Sequence, residues 1–368
     1  MKSATFLAAC AAASLLASPT AAGNLTYGSG VPERSAANQF GVLPMLDTLS
    51  GVTAGKTTFT PFLGGQIVSL PGGLPGIRDH VVDAGFFLTQ FHPSELPTAS
   101  LMAELTGLGT DPYATIGALN EVFFAKCKTC ASDMKAQGVV PLMVQSATPL
   151  TLQCTRTVES LDDVEGLRVA VIGQPEMRWI SSVGGVPVQS SVVDLLSALQ
   201  LGQADCGLLP VSWIKSYGLQ DTVKSVIDLP QGIITGAVPL AFNAAAWASL
   251  AGTDRQAMID AMPQIMWDYV TNAYVEPDQE ARAALSQKLP FSDGGEALTA
   301  AWAMFQASEP GALKQLAEAR GIDNADALVD EIVETFRVWH EDLLPKFKGD
   351  PDTFARIVKE RVYGAFPY

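Results

Sequence analysis

Few residues in this 368-residue chain stand where their types and spacing would support chemistry. Its three histidines, His80, His92 and His340, are isolated. With no G-x-S-x-G or H-E-x-x-H pattern beside them, hydrolase and metalloprotease readings lack their minimum parts. The glycine-rich stretch Pro71-Gly72-Gly73-Leu74-Pro75-Gly76 is interrupted by two prolines and completed by neither Lys-Ser/Thr nor a following acid, so it is not a phosphate or dinucleotide loop. Asp162-Asp163 and Asp194 are better read as a helix N-cap pair and an exposed helix acid than as acid/base partners. Cys127-Lys128-Thr129-Cys130 has the spacing of a redox pair, but a thioredoxin-like site opens a helix directly after a strand. Here the motif follows a helical stretch, residues 118–126, and a local disulfide between Cys127 and Cys130 is expected. Zinc would need a second CxxC or paired histidines. No catalytic residue, metal ligand or cofactor is assigned.

What must position any site is a sizeable α/β interior. The chain is too long for one ordinary core, and a prior of roughly 100–200 residues per domain gives two. Hydrophobic residues make up 48% and charged ones 17%, which excludes disorder. The net charge of −15 argues against nucleic acid or an anionic membrane surface as partner. Residues 1–22 read as a secretory signal: Lys2, an apolar run from Ala4 to Ala17, then small residues before Gly23. The apolar run before Cys10 is too short for a lipoprotein box, and no later segment approaches the ~18 apolar residues of a membrane span. Export leaves Cys127, Cys130, Cys154 and Cys206 in an oxidising compartment, and the even count permits a second bridge.

In chain order, residues 25–27 open a strand and 36–50 carry Phe40, Leu43, Leu46 and Leu49 at helical spacing. A strand follows at 57–62, and Gly85-Phe86-Phe87 sits in another. Short β-leaning runs at 142–145 and 150–155 flank Pro149 as a first crossing into a second lobe, and 238–242 brings the chain back. Residues 257–287 read as a long helix interrupted by Pro263 and Pro277, which are tolerated as kinks. The tail from Glu296 is almost wholly helical, with Phe336, Trp339 and Leu343 on one buried face. Residues 160–210 are the most ordered pattern: acidic turn, apolar run at 167–172, helix, strand, helix at 192–201, strand. That alternation means a parallel sheet.

This stretch resembles the signature of the extracytoplasmic solute receptors of TRAP (tripartite ATP-independent periplasmic) transporters. There D-L-x-G-L-x-hydrophobic-R-V precedes G-A-x-P and then E-V-y-x-A-L-q-x-G-x-x-D-G-x-x-x-P. Here it stands as Asp163-Val164-Glu165-Gly166-Leu167, Gly184-Gly185-Val186-Pro187, Asp194-Leu195-Leu196-Ser197-Ala198-Leu199-Gln200, Gly202, Asp205 and Pro210. Gly64-Gly65-Gln66, Asp83 to Phe87, His92 to Pro97 and Asn243, Trp247 and Leu250 are similar to further family landmarks. The resemblance implies a two-lobed α/β periplasmic binding protein of class II type. It has mixed sheets flanked by helices, a long interlobe helix and a helical C-terminal tail. Lobe I then takes 23–146 plus 239–265, and lobe II takes 147–238 plus 266–368. It also implies a monomeric, non-enzymatic periplasmic receptor that traps a small solute by hinge closure and passes it to two membrane subunits. A receptor for another transporter or a sensor, and an exported enzyme on this scaffold, are the rival readings.

The departures from the family pattern bear on the ligand. The family's carboxylate-binding arginine falls on Ala170, its second arginine near Leu150, and its asparagine before the motif proline on Leu209. A carboxylate buried among three apolar residues would lack partners to offset its desolvation, so a neutral or apolar ligand is expected. Two alternatives stay open: a register slip of a residue or two, or a replacement cation among Arg156, Arg168 and Arg178. Polar contacts are expected from Thr89, Gln90 and Gln145, and stacking from Phe87 or Trp213.

Overall fold

The computed structural model describes residues 23–366, and the expected leader at 1–22 lies outside them. The strands are β1 (Gly23–Gly28), β2 (Thr57–Phe62), β3 (Ala84–Leu88), β4 (Val139–Met143), β5 (Thr151–Cys154), β6 (Arg168–Val171), β7 (Val186–Gln189), β8 (Cys206–Leu209), β9 (Ser225–Ile227), β10 (Ala237–Asn243) and β11 (Phe291–Ser292). They form two mixed sheets, one in the order β2-β1-β3-β10-β4 and one in the order β11-β9-β5-β8-β6-β7. In the first sheet β1 is parallel to β2 and β3, while β10 runs antiparallel to β3 and β4. In the second, β6 is parallel to β7 and β8, and β5 is antiparallel to β8 and β9.

Burial explains the strand compositions. Every residue of β10 is buried, and a near-continuous apolar run is what a strand covered on both faces requires. Pro239 lacks an N–H for the ladder, and it falls where the β3/β10 register shifts between Val238 and Ala241. Its carbonyl is not wasted: Tyr27 Oη donates to it across 2.6 Å.

Two helical rods join the sheets. The first runs from Gly252–Val270 through a π-helical turn, Thr271–Val275, into Glu276–Leu285. Met258 to Tyr274 pack with the first sheet, whereas Ala281 and Leu285 pack with Leu195, Ile214 and Val226 of the second. Pro263 lies inside the helix, and Pro277 closely follows the π-helical turn, the kind of local irregularity that accommodates a proline within a continuous helix. The second rod, Gly295–Ala319, places Leu298, Trp302 and Phe305 on the second sheet's core and Leu313 and Ala317 on the first's.

The C-terminal helices return to the first sheet. Phe336, Trp339, Phe347 and Phe354 belong to its core, although the sequence expectation groups 266–368 with the second lobe. Amphipathic periodicity identifies a buried face without saying what covers it. Here the cover is the helix Pro112–Glu121, where a Cβ on Gly117 would sit 2.2 Å from the Trp339 ring. Only glycine permits that approach. Glu121 then accepts from Trp339 Nε1 at 2.8 Å and from the Arg361 guanidinium at 2.5 and 2.7 Å, which ties the tail down.

Cys127 and Cys130 are bonded at the start of the helix Lys128–Ala136. Cys154 and Cys206 are bonded to each other, being directly opposed in the β5/β8 register.

Candidate functional site

The chain crosses between the sheets at residues 144–150 and 228–236, and these segments are pinned together. Gln145 N donates to Ala237 O at 2.9 Å, Leu150 N to Gly232 O at 2.8 Å, and Gln231 N to Leu150 O at 2.9 Å. Beside them lies a cavity of about 100 Å³ whose walls come from both sheets. Phe86 and Leu88 of β3, Ala237 of β10 and the turn carrying Val31 and Ser35 form one side. Ile172, just past β6, and Trp213, Ser216 and Tyr217 form the other. Gln90, Gln145 and Tyr274 supply most of the remaining polar lining, and among the described residues no Asp, Glu, Lys, Arg or His lines the cavity.

Of the residues singled out from sequence, Gln90, Gln145 and Trp213 meet in this cavity. Phe87 is fully buried in the first core and packs edge-on to His92; its neighbours Phe86 and Leu88 face the cavity instead, because successive strand residues point to opposite faces. Thr89 is buried, and its hydroxyl donates to Gly236 O at 2.9 Å. Leu150, Ala170 and Leu209 are packed into the second lobe's cores. Just past β6 it is Ile172, two residues beyond Ala170, that reaches the cavity. Tyr217, Tyr274, Phe86 and Ile172 were not singled out from sequence. Tyr274 sits on a π-helical turn, where ordinary helical periodicity assigns the wrong face.

The basic groups are engaged elsewhere. Arg168 forks onto Asp205 with both contacts at 3.0 Å, on the surface. Arg178 forks onto Glu309 at 3.1 and 2.7 Å and reaches Glu104 at 3.3 Å, while Arg320 also pairs with Glu104 at 3.1 Å. Arg156 is exposed and does not line the cavity.

The polar atoms around the cavity are all neutral. Gln145 Nε2 donates to Tyr274 Oη at 2.8 Å, and its Oε1 accepts from Tyr269 Oη at 2.6 Å. Burial raises the Tyr274 phenol and pushes the Tyr217 phenol up to about 12, so both remain protonated donors. Gln90 Oε1 is buried with no partner.

Glu176 is a buried acid away from the cavity lining. Glu176, in the first turn of the helix Gln174–Ser182, accepts from Thr106 Oγ1 at 3.1 Å, while its Oε2 has no partner. Desolvation raises its carboxyl, and the neighbouring Glu104 charge adds to the effect. The folded protein therefore binds a proton that the unfolded chain releases above the ordinary glutamate range. The stability contributed by neutral Glu176 is fully present below that range and is lost as pH rises through the raised value. Glu104, itself paired with Arg178, is the charged group that acts on it. Glu176→Gln is expected to flatten this part of the pH–stability profile and to add about 1 kcal/mol at pH 8. Urea unfolding at pH 5, 6.5 and 8 checks it; an unchanged slope would show that Glu176 does not carry the linkage.

A family model described as bacterial extracellular solute-binding protein, family 7, matches residues 114–294. Over those residues the chain is similar to that family. Comparison with curated proteins finds no match. Among solved structures, the chain is similar to a TRAP solute binding protein from Rhodoferax ferrireducens with copurified benzoate. The identity is 18% over 86% of this chain and 98% of that one, with a TM-score of 0.74. A marine metagenome TRAP solute binding protein specific for aromatic acid ligands, holding 3-hydroxybenzoate, is 19% identical over 87% and 100% of the two chains, with a TM-score of 0.76. One from Bordetella bronchiseptica with bound (R)- and (S)-mandelate is 20% identical over 85% and 98%, with a TM-score of 0.71. At these identities the likeness establishes the fold.

Proposed function

We propose that this protein is the periplasmic receptor of a TRAP transporter, acting as a monomer that closes two lobes on a small solute and delivers it to the membrane subunits. The observation that carries the reading is a cavity lined from both sheets beside two crossing segments, the arrangement in which solute contacts favour the closed state. The first lobe comprises 23–146, 237–275 and 310–366, and the second 147–236 and 276–309, a division that follows the apolar cores. Within that cleft the solute is not anchored by a carboxylate, since the lining offers no cation among the described residues.

Small-angle scattering is the direct test. The exported protein is expected to contract when saturated with a solute that raises its melting temperature, because the lobes must meet around it. A solute at about 100 times its Kd adds roughly 2.7 kcal/mol of stability, enough to find it in a thermal screen. A radius of gyration unchanged by every stabilising solute would refute the hinge mechanism.

A further inference from the structure

We infer that the cavity selects a neutral, single-ring solute that carries a hydroxyl donor and a carbonyl-type acceptor, a phenolic amide being a convenient representative; this rests on the receptor reading above. Three polar atoms define the pattern. Gln90 Oε1 is a buried acceptor with nothing to accept from. Tyr274 Oη accepts from Gln145 Nε2, and Gln145 Oε1 is already occupied by Tyr269, so the Tyr274 proton is shared between the neighbouring Tyr269 Oη and an acceptor on the solute. Tyr217 lines the same space, and its Oη makes no hydrogen bond among the described residues. A buried acceptor left empty costs free energy that a donor on the solute recovers, and two phenolic donors suit a carbonyl oxygen.

Size and charge narrow the class further. A cavity of about 100 Å³ holds no more than one ring, since a dry cavity of about 150 Å³ accommodates benzene. Trp213 and Tyr217, edge to face at 5.3 Å, supply an aromatic wall. An ionised carboxylate entering the same space would meet neutral donors only, and its desolvation would be poorly offset. This chain thereby differs from the similar proteins that hold benzoate and 3-hydroxybenzoate.

Calorimetry with 3-hydroxybenzamide, benzamide and 3-hydroxybenzoate tests the proposal on the exported protein. The hydroxybenzamide is expected to bind at least tenfold more tightly than the equally sized hydroxybenzoate. Gln90→Leu, with an unchanged melting temperature, is expected to weaken the hydroxybenzamide about tenfold while leaving benzamide, which lacks the hydroxyl, within twofold. Equal or tighter binding of the hydroxybenzoate overturns the neutral class, and an equal loss of both amides in Gln90→Leu overturns the role of that acceptor. If neither amide binds, the phenolic-amide class is wrong. The receptor reading falls separately, only if no solute at all contracts the protein.

Discussion

Replacement of Arg178 by alanine is expected to destabilise the protein by about 3–5 kcal/mol, the usual consequence of removing one partner from a buried ion pair. Glu309 and Glu104 have side chains only 2% and 6% exposed, and Arg178 satisfies both. Arg320 remains to neutralise Glu104, but Glu309 would keep no cationic partner among the described residues. The effect should exceed that of breaking the Arg168–Asp205 pair, which is 46% and 27% exposed and worth at most about 1 kcal/mol. Arg178→Lys should recover part of the loss, because it restores charge without the planar fork. The shift in urea midpoint measures all three. A loss below about 1 kcal/mol for Arg178→Ala would show that water reaches the carboxylates once the guanidinium is gone.

Trp213→Ala is the substitution expected to affect solute capture most. Its ring forms a wall of the cavity and is only partly buried, so truncation removes contact area from the solute while leaving the folded core intact. Aromatic anchors at the centre of a binding site commonly contribute 2–4 kcal/mol, or about 30- to 1000-fold in Kd. Trp213→Phe should retain most of the affinity, because a ring face remains. Titration with the tightest solute from the thermal screen gives the answer, with the melting temperature of the unliganded variant as control. A change of less than threefold would place the solute elsewhere.

The site was partly legible before the structure because side-chain chemistry constrains which residues meet a solute, while strand phase does not announce itself. Gln90, Gln145 and Trp213 line the cavity. Phe87 was one residue out of phase: the Gly85-Phe86-Phe87-Leu88 run is apolar at every position, so alternation gives no clue to which side faces the cleft. Tyr217 and Tyr274 carry no local signature that separates a cavity-lining tyrosine from a core one. The three candidate arginines share a similar ambiguity, since the partner of a guanidinium is fixed by long-range contacts. Arg168 finds Asp205 and Arg178 finds Glu309, 131 residues away.

By itself the sequence determined the α/β class and the resemblance to solute receptors, because helix and strand periods and the glycine-punctuated motif of 160–210 are local properties of the chain. It also determined that the landmark positions at 150, 170 and 209 are apolar, since residue identity requires no folding. Only the tertiary structure decided that the tail covers the first sheet, that Cys154 opposes Cys206, and that Ile172 rather than Ala170 reaches the cavity. These depend on register and on which buried face meets which, and burial is a relation between segments distant in sequence that no local period encodes.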